Sequence, residues 1–300
     1  MDFRGFESIT KTDFPLDTAC SMKTGGHARY AVFPENICDF EKLLCDGLPE
    51  NTYICGNASN VLFPDNASGI NVVFTTKMCE IRAEGENLLY ADCGTRLMSL
   101  CNLAQKNALS GLEFAYGIPA TVGGAVYMNA GAYDSETANV IKEVYAFDIE
   151  KKKRVTISRE DCRFSYRHSV FIENKNLIIT GALFELSKGE SDAIAEKQKD
   201  FMQRRRDKQP LEFPSCGSAF KRPEGHFAGK LIEDCSLKGF SVGGAQVSEK
   251  HAGFVINRGG AKSSDVAKLM DEVSRIVFEK FGVVLCPEIE IIKECQKRND

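Results

Sequence analysis

The chain has 300 residues, 43% apolar and 27% charged, with 38 basic and 42 acidic side chains for a net charge of −4. These proportions belong to a soluble globular protein and exclude a disordered or fibrous one. Without a positive excess, they also argue against a general nucleic-acid coat or a polybasic membrane binder.

The length gives two domains as the expectation, with one or three also open. Twelve Cys without a C-x-x-C, and only four His, exclude a disulfide scaffold and argue against a zinc site. The opening MDFRGFESITKTDFPLDTAC is charged throughout and has no apolar core, so no secretory signal is expected there. Reduced thiols in a cytoplasm follow, with most Cys acting as small buried apolar residues.

Short β-like runs alternate with amphipathic helices. Strands are predicted at ARYAVFP (28–34) and TYIC (52–55), with a helix between them that places Ile37, Phe40, Leu43 and Leu44 on one face. Strands INVVF (70–74) and LLYAD (88–92) precede a helix from Arg96 to Leu109. Further strands are predicted at 142–148, 154–158 and 177–186, with the KKKR run at 151–154 as a solvated hairpin tip. A charged helix, Asp192 to Lys208, stops at Pro210 and leads into a C-terminal domain. That domain has a helix at Lys230 to Cys235, a strand at FVIN (254–257), and a long helix from Ser264 to Phe281. Ser263 or Ser264 is expected to cap the long helix and Gly282 to end it. VVLCPEIEII is the predicted final strand. Without regular βαβ units, the class is α+β.

Several motifs are missing: no G-x-G, no P-loop, no G-x-S-x-G and no H-E-x-x-H occur. A nucleotide here needs another architecture. Three Gly-rich blocks remain. ICGNASNVLFPD (54–65) is a strand running into a turn rich in free N–H groups, which suits a pyrophosphate. GLEFAYGIPATVGGAVYMNAGAYDSE (111–136) contains 20 uncharged residues, Phe114 to Tyr133. The span is long enough for a membrane, but its four Gly and a Pro make it a buried, ligand-cradling loop system. The third is PSCGSAFKRPEGHFAGKLIEDCSLKG (214–239), followed by FSVGGAQVSEKHAGFVIN.

In this order and spacing, the three blocks resemble the UDP-N-acetylenolpyruvoylglucosamine reductase family over nearly the whole chain, Thr18 to Ile292. With only a short segment between SYRHS and the linker helix, the chain resembles the shorter variety, which lacks a tyrosine-bearing loop. The resemblance implies an FAD-binding region of the vanillyl-alcohol-oxidase (PCMH) type in two subdomains, 1–66 and 67–190. A connecting helix (191–210) and a C-terminal α+β substrate-binding domain (211–300) follow. The implied FAD contacts are Gly56, Asn57, Ala58, Ser59, Asn60, Gly117, Gly123, Gly124 and Asn129. The implied catalytic residues are Arg167, Ser218 and Glu288, and the implied substrate contacts are Lys208, Lys221, Arg222 and His251. Ala58 and Ala120 stand where the family usually has Gly, Arg222 where many members have Asn, and Glu290 where an Arg often follows the catalytic Glu.

The implied activity is NADPH-dependent reduction of an enolpyruvyl C=C through non-covalent FAD, in the synthesis of UDP-N-acetylmuramate for peptidoglycan, by a cytoplasmic monomer. No metal, nucleic acid or membrane insertion is implied. Charge building beside the substrate carboxylate calls for a fixed cation, which suits Arg167. A Glu288 kept protonated by burial would hydrogen-bond the enolate. Ser218 would protonate the carbon, with Lys221 or a water polarising it. By itself Arg167 reads as a surface residue pairing with Asp161 or Glu173, Ser218 as a turn residue, and Glu288 as an exposed strand residue. His27 and His168 read as satisfied by local bonds. Two other functions stay open: another FAD-dependent oxidase of the same fold, and a non-catalytic FAD- or UDP-sugar-binding protein.

Overall fold

The computed structural model describes residues 3–294. They divide into two compact units. One holds the chain up to Lys11 with Ala31–Asn57 and Val72–Arg204; the other holds Thr12–Tyr30, Ala58–Asn71 and the chain from Arg205 on. A four-stranded sheet runs in the order Thr10–Pro15, His27–Val32, Asn71–Phe74, Thr52–Cys55. Strands and helices are interleaved throughout, an α+β protein.

The first unit is built on a five-stranded antiparallel sheet. Its order is Lys153–Ser158, Ile141–Asp148, Leu177–Glu185, Leu88–Asp92, Ile81–Ala83. The apolar run of the central strand is buried without alternation from Ile179 to Phe184, as a strand covered on both faces requires. Helices α1 (Ile37–Asp46), α2 (Leu97–Lys106), α3 (Val122–Tyr127), α4 (Val170–Glu173) and α5 (Ser191–Lys208) follow in chain order, α5 running past the unit boundary at its last turn. Phe40, Leu43 and Leu44 form the buried face of α1, and the Asn36 side chain accepts the Asp39 N–H at its start.

Two expectations are corrected here. The uncharged stretch is not loop throughout: Thr121 caps α3 inside it. No helix among the described residues is long and apolar enough to cross a membrane. The KKKR run is only partly a tip. Lys152 turns the hairpin at φ +48°, whereas Arg154 lies in the strand and binds Glu41 bidentately at 2.5 and 2.7 Å.

The second unit carries a four-stranded sheet, Ser215–Ser218, Phe254–Asn257, Ala245–Val247, Ser241–Val242, against α6 (Ala228–Asp234) and α7 (Ser263–Phe281). Val266, Leu269, Met270, Val273 and Val277 of α7 are buried in its core. Gly282 ends α7 at φ +68° with its N–H on Phe278 O, as expected. The start of α7 differs from the expectation. Lys262 is the N-cap, and the Ser263 hydroxyl is buried without a partner among the described residues. The cap is Asp65, whose carboxylate accepts the N–H of Ser263 at 2.7 Å and of Ser264 at 3.1 Å. Desolvation pushes the Asp65 carboxyl up, but the Ser264 hydroxyl and the two N–H groups outweigh it and hold it below the ordinary value.

Asp65→Ala is therefore expected to cost about 1–2 kcal/mol, the usual loss for an N-cap. The Asp65 contribution should be complete above pH 3.8, the unfolded value, and vanish as the pH falls through the lower folded value. Thermal melts of both proteins across pH 2.5 to 7 read this difference, and coincident curves at neutral pH would contradict it.

The predicted last strand is also shorter than expected. Pro287 has no N–H to give to a ladder. It forms one bridge to Phe220, and only Glu290–Ile291 pairs as a strand, parallel to Val61–Leu62.

Candidate active site

The turn after the strand Thr52–Cys55 supplies the first group of candidate residues. Among the described residues, no acceptor takes the N–H groups of Gly56, Asn57, Ala58, Ser59 or Asn60. Five consecutive unclaimed donors suit a bound anion. Several other groups of the turn have protein partners. Asn57 Nδ2 donates to Pro119 O at 3.1 Å, and Ala58 O accepts the Ser21 N–H. Ala58 sits at φ +43°, so the backbone there is left-handed, whereas Ala120 is outside that region. The departure from Gly thus carries a conformational cost at Ala58 and none of that kind at Ala120.

Gly56 is required by close approach. A Cβ at this position would lie 2.0 Å from Thr121 Oγ1 and 2.9 Å from its Cγ2. Gly56→Ala must shift the turn or α3, so the purified variant is expected to hold clearly less flavin per folded chain. Absorbance at 450 nm against protein concentration measures this, and full flavin content would contradict it.

In the middle block, by contrast, N–H groups are taken within the protein. At the start of α3, Val122 N–H is taken by Thr95 O, Gly123 N–H by Cys93 O and Gly124 N–H by the Thr121 hydroxyl. Gly117 turns the chain before it at φ +86°. Asn129, at the other end of α3, is fully buried, with its amide bound to Ser165 O and the Ala138 N–H.

Arg167 occupies a tight turn. Ser165 and His168 exchange N–H···O bonds of 3.1 Å, leaving Tyr166 and Arg167 at the tip. Arg167 holds φ +54°, a strained value for a side-chain-bearing residue and one that clusters at functional sites. Its guanidinium donates to Asn129 O at 3.5 Å and Gly131 O at 3.3 Å. Of the two acidic residues considered as its partners, Glu173 pairs with Arg163 and His168, and Asp161 bonds Ser158. His168 thus has the local bond expected of it, and His27 has one to Asp13.

In the second unit, Ser218 and Glu288 are fastened near each other. The strand Ser215–Ser218 is bulged, with Gly217 at φ +76°, and ends with Ser218 exposed. Glu288 N–H donates to Ala219 O at 2.9 Å, and Lys221 N–H to Cys286 O. Asn60 grips the same segment, its Nδ2 donating to Glu288 O at 3.0 Å and its carbonyl accepting the Glu290 N–H. Glu288 is half-buried and Glu290 exposed.

Arg222 lies over the exposed Phe227 ring at 4.5 Å. Lys208 is exposed at the end of α5. His251 is held by the Gly253 N–H on its Nδ1 at 3.1 Å, which leaves Nε2 as the donor. Burial pushes its pKa down, so the ring is neutral. Sequence reasoning missed Thr121 and Ser169. A Thr before VGGA is a legible cap signal; Ser169, whose hydroxyl binds Tyr127 O at 2.7 Å, has a partner too distant in sequence to be read.

Residues 28–154 match the sequence model of a family described as FAD binding domain, and residues 209–292 match one described as the C-terminal domain of UDP-N-acetylenolpyruvoylglucosamine reductase. The chain is thus of the class that joins a non-Rossmann FAD-binding fold to a dedicated C-terminal domain. Curated reductases of that name resemble it throughout. The Caldicellulosiruptor saccharolyticus protein is 48% identical over 97% of this chain and 95% of its own, and that of Clostridium novyi 45% identical over 95% and 92%. The crystal structure of the reductase from Thermus caldophilus superposes with a TM-score of 0.80 at 30% identity, over 95% of this chain and 98% of that one. The chain belongs to the UDP-N-acetylenolpyruvoylglucosamine reductase family.

Proposed function

We propose that the protein is an FAD-containing, NADPH-dependent oxidoreductase that reduces the enolpyruvyl C=C of UDP-N-acetylglucosamine enolpyruvate to UDP-N-acetylmuramate. Its place is the cytoplasmic synthesis of peptidoglycan precursors, and it acts as a monomer. Residues 1–66 and 67–190 form the cofactor-binding subdomains, 191–210 the connecting helix and 211–300 the substrate domain. The geometric observation that carries this reading is the fastening of Ser218 and Glu288 through the Glu288 N–H on Ala219 O, because the reaction needs a proton donor and an enolate-stabilising group held together.

The donor set fits the cofactor. The five unclaimed N–H groups of 56–60 would take the pyrophosphate of FAD. The chemistry FAD supplies when bound is carriage of hydride from NADPH to the methylene carbon of the substrate. Arg167 holds the substrate carboxylate with a planar, permanently charged fork while negative charge grows on the neighbouring carbon. Glu288 is the group assigned to stabilise the same enolate. Ser218 delivers the proton to the carbon, with Lys221 or a water polarising the hydroxyl. Lys208 and Arg222 meet the diphosphate, and neutral His251 offers an Nε2–H to a substrate oxygen.

The purified protein is to be assayed for released flavin and for product. One FAD per chain, released on denaturing precipitation, together with a product of the mass of UDP-N-acetylmuramate, is the expected outcome. A colourless protein that takes up no added FAD would sink the reading. Fast air oxidation of the reduced flavin with turnover of a hydroxylated substrate would favour an oxidase instead.

A further inference from the structure

We propose that Asn129 is a positioning residue for Arg167: its buried amide fixes the turn from which the guanidinium is presented. The inference rests on the role of Arg167 given above and extends it to a residue that touches no reacting atom. Asn129 is fully buried and sits at φ +43°, directly after the C-terminal end of α3. Asn is the favoured side-chain-bearing residue at that left-handed helix-ending position, so a purely structural role would need nothing more of it.

Its side chain nevertheless has specific work. Nδ2 donates to Ser165 O at 3.0 Å, and Ser165 is one of the two residues that close the Tyr166–Arg167 turn. Oδ1 accepts the Ala138 N–H at 3.0 Å, which sets which end of the amide faces Ser165. The Asn129 carbonyl itself receives the Arg167 guanidinium at 3.5 Å, alongside Gly131 O at 3.3 Å. The turn is thus held by the Asn129 side chain while the Arg167 head lies on the Asn129 main chain. The Ser169 hydroxyl, also fully buried, binds Tyr127 O at 2.7 Å and anchors the far side of the same turn to α3. A strained φ of +54° at Arg167 persists only where its surroundings impose it, and these bonds are the surroundings.

The same amide was assigned above, from the resemblance, to the FAD wall. Both its donor and its acceptor are directed to protein partners. These two bonds tie the amide to the substrate-reading turn, whatever its remaining donor and lone pair meet at the FAD wall.

The test uses Asn129→Gly, which keeps the left-handed backbone and removes the amide. It also uses Asn129→Asp, which keeps an acceptor for Ala138 but cannot donate to Ser165 when ionised. Holoenzyme of each variant is mixed anaerobically, first with NADPH and then with the enolpyruvyl substrate. Flavin content is measured for each variant; per bound flavin, reduction by NADPH should stay within about twofold of wild type, while the saturating rate of the substrate half-reaction falls roughly a hundredfold, the scale of an ångström-size misplacement. Combined with Arg167→Lys, Asn129→Gly should add little further loss, since both act through one group. An unchanged substrate half-reaction in both single variants, or losses that multiply in the double variant, would overturn the proposal. If Arg167→Lys itself leaves the substrate half-reaction unchanged, the role of Arg167 fails and the positioning role falls with it. An impaired Arg167→Lys beside unimpaired Asn129 variants refutes the positioning role alone.

Discussion

Replacing Ser218 by Ala is expected to leave reduction of the flavin by NADPH near normal and to slow its reoxidation by the enolpyruvyl substrate by roughly 10²–10⁴-fold, the range of a lost general acid. The split follows from the task assigned to the hydroxyl. In that assignment Ser218 gives a proton to the substrate carbon and has no part in the arrival of hydride from NADPH. Its position supports this selectivity. It is exposed at the end of a bulged strand, so removing one oxygen should leave the sheet intact. Ser218→Cys should retain more activity than Ser218→Ala, because a thiol can also supply a proton. If Ser218 were only a turn residue, both half-reactions would change alike and modestly. Anaerobic rapid-mixing spectra of the two half-reactions separate the cases, and an unimpaired second half-reaction in the Ala variant refutes the assignment.

Arg167→Lys should lose about 2.7–4 kcal/mol of transition-state stabilisation, again in the substrate half-reaction. A lysine keeps the charge but cannot reproduce a planar two-pronged donor against a carboxylate. A lysine also lacks the two separate nitrogens with which the Arg167 head reaches Asn129 O and Gly131 O. Replacement of Arg154, whose bidentate partner Glu41 is far from any assigned site residue in sequence, is the matched control. Turnover of Arg167→Lys within a factor of about two of wild type would remove Arg167 from the reaction.

The periodic parts of the fold were legible because burial imposes its own repeat. The apolar stripe of α7 is read at helical spacing and is the stripe buried in the core. The turn at 56–60 was legible as a turn because Gly, Asn and Ser favour one, and its N–H groups are unclaimed among the described residues. What escaped depends on partners distant in the chain. Nothing near Ser263 signals that Asp65 caps α7, and a pair of serines at a helix start is the ordinary local cap, so the local rule was misleading. The final strand was overextended because VVLCPEIEII is apolar enough for one, yet Pro287 interrupts the ladder. At the site, the residue types came from motif resemblance. The clamp of Asn129 on Ser165 and the grip of Asn60 on Glu288 span 36 and 228 positions, and no local pattern encodes either.

The central claim is the reduction of an enolpyruvyl group at the expense of NADPH. Its most direct measurement is NADPH oxidation at 340 nm under anaerobic conditions, with and without UDP-N-acetylglucosamine enolpyruvate. The account predicts a single turnover of the flavin without substrate and sustained oxidation with it, one NADPH consumed per UDP-N-acetylmuramate formed. Flavin that NADPH reduces but that the enolpyruvyl substrate fails to reoxidise would contradict it.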